Sequence, residues 1–353
     1  MKSVADKLAE IGRDIVEQIK KDNFPAITFP LRSVSNIVFD EEEGVVKLGQ
    51  KKVTRRANNI KQAKVFAQLL WIAAFAKTEL LEKGRSCSLR DLYYNSFNDV
   101  KIKFEDQDES DNLVVELETI LEVAREHFNI IPEEKSSIFG DLVIEYTMPV
   151  THRGQRVSLT TDPDGKNIGL SLATAKFVDV NASMVIAIEK GAIFRRFVEE
   201  QVYKKLNAIL IDTGGQAPRF TRMLIRRLNK ELGLPVYVLT DADPWGMHIA
   251  RVIISGSAIS AHIPELATPD AKWLGIYATD IKKFGLPSIP LTQLDLHRLE
   301  TMKRDPRYED GLWRNQLEEF SKIKVKAELE AFSKYGLTAI IDKYLMKKIK
   351  ELK

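Results

Sequence analysis

One cysteine, Cys87, in 353 residues excludes an internal disulfide, and with five histidines no Cys/His spacing for structural zinc can be written. No apolar run approaches the roughly 20 residues that a membrane-spanning helix needs. The longest, from Leu69 to Ala76, stops at Lys77 and reads as a buried helix. The first segment, MKSVADKLAEIGRDIVEQIKK, alternates charged and apolar residues and lacks the continuous apolar core of a secretion signal, so a cytoplasmic location is expected. No G-x-x-x-x-G-K-[ST] phosphate loop occurs, and nothing else reads as an ATP site. Neither sign of charge prevails: 53 basic against 50 acidic residues, net +3, permits a polyanionic partner without demanding one, so local clustering must decide.

What is present is enough for two domains with cores of their own, at 44% hydrophobic residues. Val4, Leu8, Ile11, Ile15 and Ile19 recur at helical steps and predict a first helix. Its stripe packs on its own domain or is exchanged with a partner protomer. Residues 26 to 57 read as short strands, with Asp40 to Gly44 as a turn. A helix follows from Lys64 to Lys83, ended by Gly84, then a second from the N-cap Ser88. The acidic stretch 105–111 reads as a loop, residues 112–128 as a third helix and 135–150 as a β-hairpin turning at Gly140. Three helices followed by a hairpin is the order of a winged-helix DNA-binding domain. The expected divisions are 1–63, 64–150 and 151–353. In the last, MVIAIE, NAILIDT and PVYVLTDAD each precede a helix, the pattern of a largely parallel sheet covered on both faces.

Functional groups in such sheets gather at the carboxyl ends of the strands. Glu189 closes one of these strands, and Asp241 and Asp243 close another with one residue between them. In extended chain, residues i and i+2 point the same way, so the two aspartates offer oxygens to one place, as suits a hard cation such as Mg²⁺. A lone D-x-D is also an ordinary helix cap. Asp212 ends the intervening strand before Gly214 and Gly215, where backbone amides can approach a phosphate or merely turn into a helix.

Upstream, SLRDLYYNSF carries Tyr93 and Tyr94. Adjacent helical residues point about 100° apart, so at most one is buried and the other can face out as a nucleophile. Arg90 lies one turn before Tyr94, where a cation can meet phenolate and phosphate charge. Arg55, Arg56, Arg219 and Arg222 are candidate DNA phosphate contacts, the last two because they open the helix after the glycine turn. Arg195-Arg196, Arg226-Arg227 and Lys51-Lys52 are weaker versions of the same pattern.

The ordered set L-R-D-L-Y-Y, I-E-K-G and T-D-A-D-P-W-G, with GGQAPRFTRMLIRRL and GLTAIIDKYLMKKI, resembles the family that holds the A subunits of archaeal topoisomerase VI and the eukaryotic meiotic break-making transesterase. The glutamate and D-x-D part is the Toprim signature, shared with primases and some nucleases. The resemblance implies an α/β multidomain chain, a winged-helix (CAP-like) domain followed by a Rossmann-like Toprim domain. It implies Tyr94 as the nucleophile that joins a DNA 5′ end, Arg90 assisting, and Glu189, Asp241 and Asp243 holding Mg²⁺, with Glu189 also in proton transfer. It further implies double-stranded DNA as substrate, a homodimer, and a separate ATPase B subunit completing a heterotetramer on the nucleoid. Alternatives are a break-maker devoted to recombination and an inactive DNA-binding Toprim scaffold.

Overall fold

The computed structural model describes residues 2–132 and 135–352. The chain divides into two compact units: Met1–Val38 with Val46–Glu133 and Ala258–Pro264, and Phe39–Val45 with Glu134–Ser257 and Glu265–Lys353. No helix among the described residues is long and apolar enough to cross a membrane.

The first unit opens with α1 (Val4–Lys20), started by a capping box between Ser3 and Asp6. Strands β1 (Ala26–Pro30), β2 (Ile37–Asp40), β3 (Val45–Leu48) and β4 (Lys52–Arg56) follow in sequence, with Phe39–Val45 counted in the second unit. β1 and β4 pair antiparallel, Ala26 opposite Arg56, and residues 40–44 turn between β2 and β3 as expected, with Gly44 at φ +68°. Then come α2 (Ile60–Phe75), prolonged by a wider π-type turn over Ala76–Leu81, α3 (Leu89–Asn95) and α4 (Gln107–Leu121). Leu8 of α1 joins Leu69, Ile72, Leu92, Leu113, Val114, Leu117 and Phe128 in one buried cluster, with Val4 and Ile11 against it. The first helix therefore packs on its own domain. The segment 105–111, expected as a loop, instead begins α4: Asp106 caps the amide of Glu109, and Asp108 and Glu109 sit in the first turn, where the helix dipole favours negative charge.

The second unit is built on a six-stranded sheet. Its strands are β5 (Ser137–Phe139), β8 (Lys166–Asn167), β10 (Met184–Ile188), β11 (Ala208–Asp212), β12 (Val236–Leu239) and β13 (Lys272–Gly275), in the order β13-β12-β10-β11-β5-β8. The four from β10 to β13 are parallel, while β5 runs antiparallel to β11. Every residue of β10 and β12 is buried, which is why both read as unbroken apolar runs. Helices α5 (Leu170–Ala173), α6 (Gly191–Glu199), α7 (Val202–Lys205), α8 (Arg219–Leu232) and α9 (Pro244–Ser255) lie between the strands in sequence. The helix that follows Glu189 stops at Glu199 and a short second one begins at Val202, with Gln201 between them at φ +53°.

The hairpin expected over 135–150 does not form. β5 joins the large sheet, whereas β6 (Leu142–Glu145) pairs with β7 (Arg156–Ser158) and β9 (Lys176–Val180) in a separate three-stranded sheet. Gly140, read as the turn residue, is where a Cβ would stand 2.9 Å from Ile209 Cα; it lets the chain pass against the backbone of β11. This segment thus falls in the second compact unit.

Candidate active site

In the parallel sheet, β10 leads to β11 on one side, and β12 returns on the other side of β10. The crevice beyond the carboxyl ends of β10 and β12 is therefore a topological switch point, where two connections diverge and leave room for a ligand. Glu189 follows β10 and Asp241 and Asp243 follow β12, so the fold brings these three carboxylates together. Ala242 bridges to Ala327, keeping Asp241 to Asp243 extended. The backbone amide of Asp241 donates to Glu189 Oε2 at 2.9 Å. Asp241 Oδ1 accepts from the Leu329 amide at 2.8 Å, and its Oδ2 lies 3.2 Å from Lys190 Nζ. Asp243 is the N-cap of α9, its Oδ1 accepting from Gly246 at 2.6 Å.

Crowding and burial make this an electrostatically unsatisfied site. The Glu189 carboxyl is pushed up to about 8, by burial first and then by the Asp241 charge. Asp241 rises to about 6 through burial, against the Leu329 amide and Lys190, which favour its charged form. Asp243 is raised as well, again chiefly by burial. Lys190 is raised too: burial alone would favour its neutral form, but Asp241, Glu330 and Glu328 together hold the ammonium charged. Among the described residues no three carboxylates already stand in a ligating arrangement, because each has turned one oxygen to a backbone amide. Their chemistry fits a divalent cation nonetheless. Buried oxygens short of positive charge are what such an ion relieves.

Gly246 closes the floor. A Cβ there would stand 2.4 Å from the Asp241 carbonyl oxygen and 3.1 Å from Glu189 Oε2, so the glycine of D-P-W-G is a requirement of close approach. Asp212 ends β11 beside Ile188, and its Oδ1 accepts from Gly214 at 2.9 Å. It shapes the glycine turn rather than joining the other three carboxylates. Sequence reasoning also passed over Lys190, Glu328 and Glu330. Lys190 carried a signal, since it adjoins Glu189; the two glutamates lie far along the chain from Asp241, and nothing local marks them.

On the first unit, Ser88 and Asp91 form a capping box that starts α3. Leu92 is fully buried, Tyr93 half-buried against the helical core, and Tyr94 exposed at 52%. The expected division of labour between the two tyrosines is thus what the helix produces. Phe97 meets both rings edge-on, at 5.0 Å from Tyr93 and 5.7 Å from Tyr94. The Arg90 guanidinium lies 5.9 Å from the Tyr94 ring centre, on the face foreseen from its spacing.

The candidate phosphate contacts fare unevenly. Arg56 is exposed and Arg219 half-buried at the start of α8. Arg55 is committed within the first unit to Glu116, with Nε 2.9 Å from both carboxylate oxygens. Arg222 is buried, at 8% exposure, among the other buried residues of α8. Of the weaker candidates, Arg227 is held by Glu231 and the carbonyls of Ala173 and Ala175, and Arg196 by Ser333 and Leu337.

Comparison with known proteins places both halves. Residues 184–349 match the family described as the Toprim domain of topoisomerase 6 A subunits and Spo11, and residues 64–130 match the type IIB DNA topoisomerase family. The chain is 40% identical to the type 2 DNA topoisomerase 6 A subunit of Methanothermobacter thermautotrophicus over 98% of its length and 96% of the relative's. The same protein of Archaeoglobus fulgidus is 39% identical, again over 98% and 96%, and that of Natronomonas pharaonis 36%, over 98% and 95%. The chain belongs to the topoisomerase VI A-subunit family. Its relatives are enzymes, and the Toprim match holds all three carboxylates, in a domain type that typically takes a divalent metal. The type IIB match holds Arg90 and Tyr94. In this chain the solvent-facing Tyr94 phenol and the buried carboxylates stand in separate compact units.

Proposed function

We propose that this chain is the DNA-cleaving and rejoining subunit of a type IIB topoisomerase. The observation that carries the reading is the pairing, within one chain of that family, of an exposed Tyr94 beside Arg90 with the Glu189, Asp241 and Asp243 crevice. The Tyr94 phenol, having lost its proton, attacks a DNA phosphorus. The P–O3′ bond breaks, the 3′ oxygen leaves with a proton, and the 5′ phosphate stays on the tyrosine. Because the phosphodiester is exchanged rather than hydrolysed, the 3′ hydroxyl can reverse the step. Arg90 sits where it can meet phenolate and phosphate charge. Glu189, Asp241 and Asp243 would hold Mg²⁺, which when bound offsets charge on the phosphate and leaving oxygen. Glu189 is also the group suited to proton exchange before the metal enters, its carboxyl being pushed up to about 8 by burial and the Asp241 charge in the metal-free chain.

Two strands require two tyrosines, so the acting form is a homodimer, with the tyrosine of one copy serving the carboxylates of the other. The chain offers no phosphate loop, so strand passage draws on a separate ATPase B subunit in a heterotetramer, on double-stranded DNA in the nucleoid. The helical unit is the DNA-reading domain of winged-helix type, supported by the order α2, α3, α4; its wing is not the 135–150 segment. Arg56 and Arg219 are the better placed phosphate contacts. The test is a cleavage assay with the B subunit, ATP and Mg²⁺, trapped with denaturant. Wild type leaves protein on DNA 5′ ends, and Tyr94→Phe leaves none. Undiminished linkage by the Phe variant removes Tyr94 as nucleophile. Breaks without ATP-dependent relaxation would instead favour a recombination break-maker.

A further inference from the structure

Lys190 is a charged residue beside the acidic crevice to which the proposed cleavage chemistry assigns no role. Its ammonium stands 3.2 Å from Asp241 Oδ2, 3.1 Å from Glu328 Oε2 and 3.1 Å from Glu330 Oε2. An ammonium has three protons to donate, and here three separate carboxylates lie within reach. The other Asp241 oxygen is taken by the Leu329 amide. The oxygen that Asp241 can offer to an ion is therefore the oxygen Lys190 holds. The backbone ties the arrangement together: Leu329 lies between the two glutamates, so the peptide that fixes Asp241 also fixes the far side of the lysine's cage. Glu328 is largely exposed, at 62% for its side chain, and Glu330 less so, at 39%. Both remain as acceptors for the lysine if Asp241 is taken from it.

We propose that Lys190 is a tethered counter-ion that competes with the divalent cation for Asp241 Oδ2, and that Glu328 and Glu330 receive it when the metal enters. It is a positioning residue whose contribution is to set metal affinity. In the metal-free chain it shields Asp241. With metal bound, it is transferred to the two glutamates and remains at the mouth of the crevice. The inference rests on reading the three carboxylates as the metal site.

The experiment titrates Mn²⁺ into the full chain at fixed pH without DNA or ATP, following free Mn²⁺ by electron paramagnetic resonance. Removing a partly exposed competing charge tightens binding by about twofold to fivefold, so Lys190→Met is expected to bind Mn²⁺ more tightly by that factor, and Lys190→Arg to stay near wild type. Lys190→Gln serves the same purpose should the methionine variant fail to fold. Glu328→Gln with Glu330→Gln is expected to weaken binding, because the lysine loses its alternative partners, and that loss is expected to vanish in the Lys190→Met background. Affinity unchanged or weaker in Lys190→Met and Lys190→Gln overturns the role of the lysine. A glutamate effect that persists without the lysine makes those residues direct ligands and overturns it equally. Asp241→Asn separates the two levels: if it binds Mn²⁺ as wild type does, the metal-site reading itself fails, whereas its loss alongside an unmoved Lys190→Met removes the lysine's role alone.

Discussion

Glu189 keeps its proton to about pH 8, well above the ordinary carboxylate range, and this has consequences for binding and for stability. A metal ligand must be deprotonated, so at pH 7 an entering ion displaces a proton. Mg²⁺ or Mn²⁺ affinity is expected to rise with pH and level off above about 8, with close to one proton released at pH 7. Calorimetry in buffers of differing ionisation enthalpy measures it. The sign for stability is opposite to that of a salt-bridged acid. A folded-state value raised above the unfolded one favours the fold fully below the unfolded value, and the advantage is lost as pH climbs through about 8. In the metal-free chain Glu189→Gln is therefore expected to raise the unfolding midpoint at pH 9 and to change it little at pH 5, read by circular dichroism. Arg90, 5.9 Å from the Tyr94 ring, is solvent-facing, so Arg90→Ala is expected to leave the fold intact and lower covalent cleavage by about 100-fold, as for loss of a charge-stabilising donor; DNA affinity should hold in a filter-binding measurement.

At the scale of elements, the site depends on two helix starts. α3 presents Tyr94 because Ser88 and Asp91 fix its first turn and Leu92 anchors its inner face. Ser88→Ala is expected to cost about 1 kcal/mol, lowering the denaturant midpoint of the full chain and reducing cleavage more than DNA binding. α9 begins at Asp243, and Gly246 sits so close to the Asp241 carbonyl that an added Cβ has no room. Gly246→Ala is expected to cost about 1–3 kcal/mol through overpacking and, by pushing Asp241 from Glu189, to weaken Mn²⁺ binding at least tenfold. Wild-type Mn²⁺ affinity in that variant would show the crevice to be looser than its geometry indicates.

For the whole molecule, the phenol and the carboxylates stand in different compact units of one chain. If two copies complete each other's sites, mixing a Tyr94→Phe chain with an Asp241→Asn chain is expected to yield heterodimers with one intact composite site, which nick one strand, whereas neither variant alone cuts. Sites complete within one chain would instead leave such heterodimers with no intact site, and the mixture would stay inactive.

Much of this was legible in the residues. Period and caps marked the parallel strands, α8 and the start of α3, because helix spacing, Ser88 and the apolar runs of buried strands are local properties. That at most one of Tyr93 and Tyr94 is buried followed from helix geometry, the choice of Tyr94 from the family resemblance, and the shared direction of Asp241 and Asp243 from their i, i+2 spacing in extended chain. What failed were features decided by partners distant in sequence. The 135–150 segment has the local look of a hairpin, yet β5 finds β11 and β6 finds β7 and β9. Arg55 and Arg222 look like surface cations until Glu116 and the buried face of α8 take them. Lys190 is adjacent to Glu189 in sequence, but only the tertiary fold sets it between Asp241, Glu328 and Glu330, since a charge's role depends on which charges the fold places around it. The residues alone determined which chemistry the chain carries; the tertiary structure decided which groups restrain it.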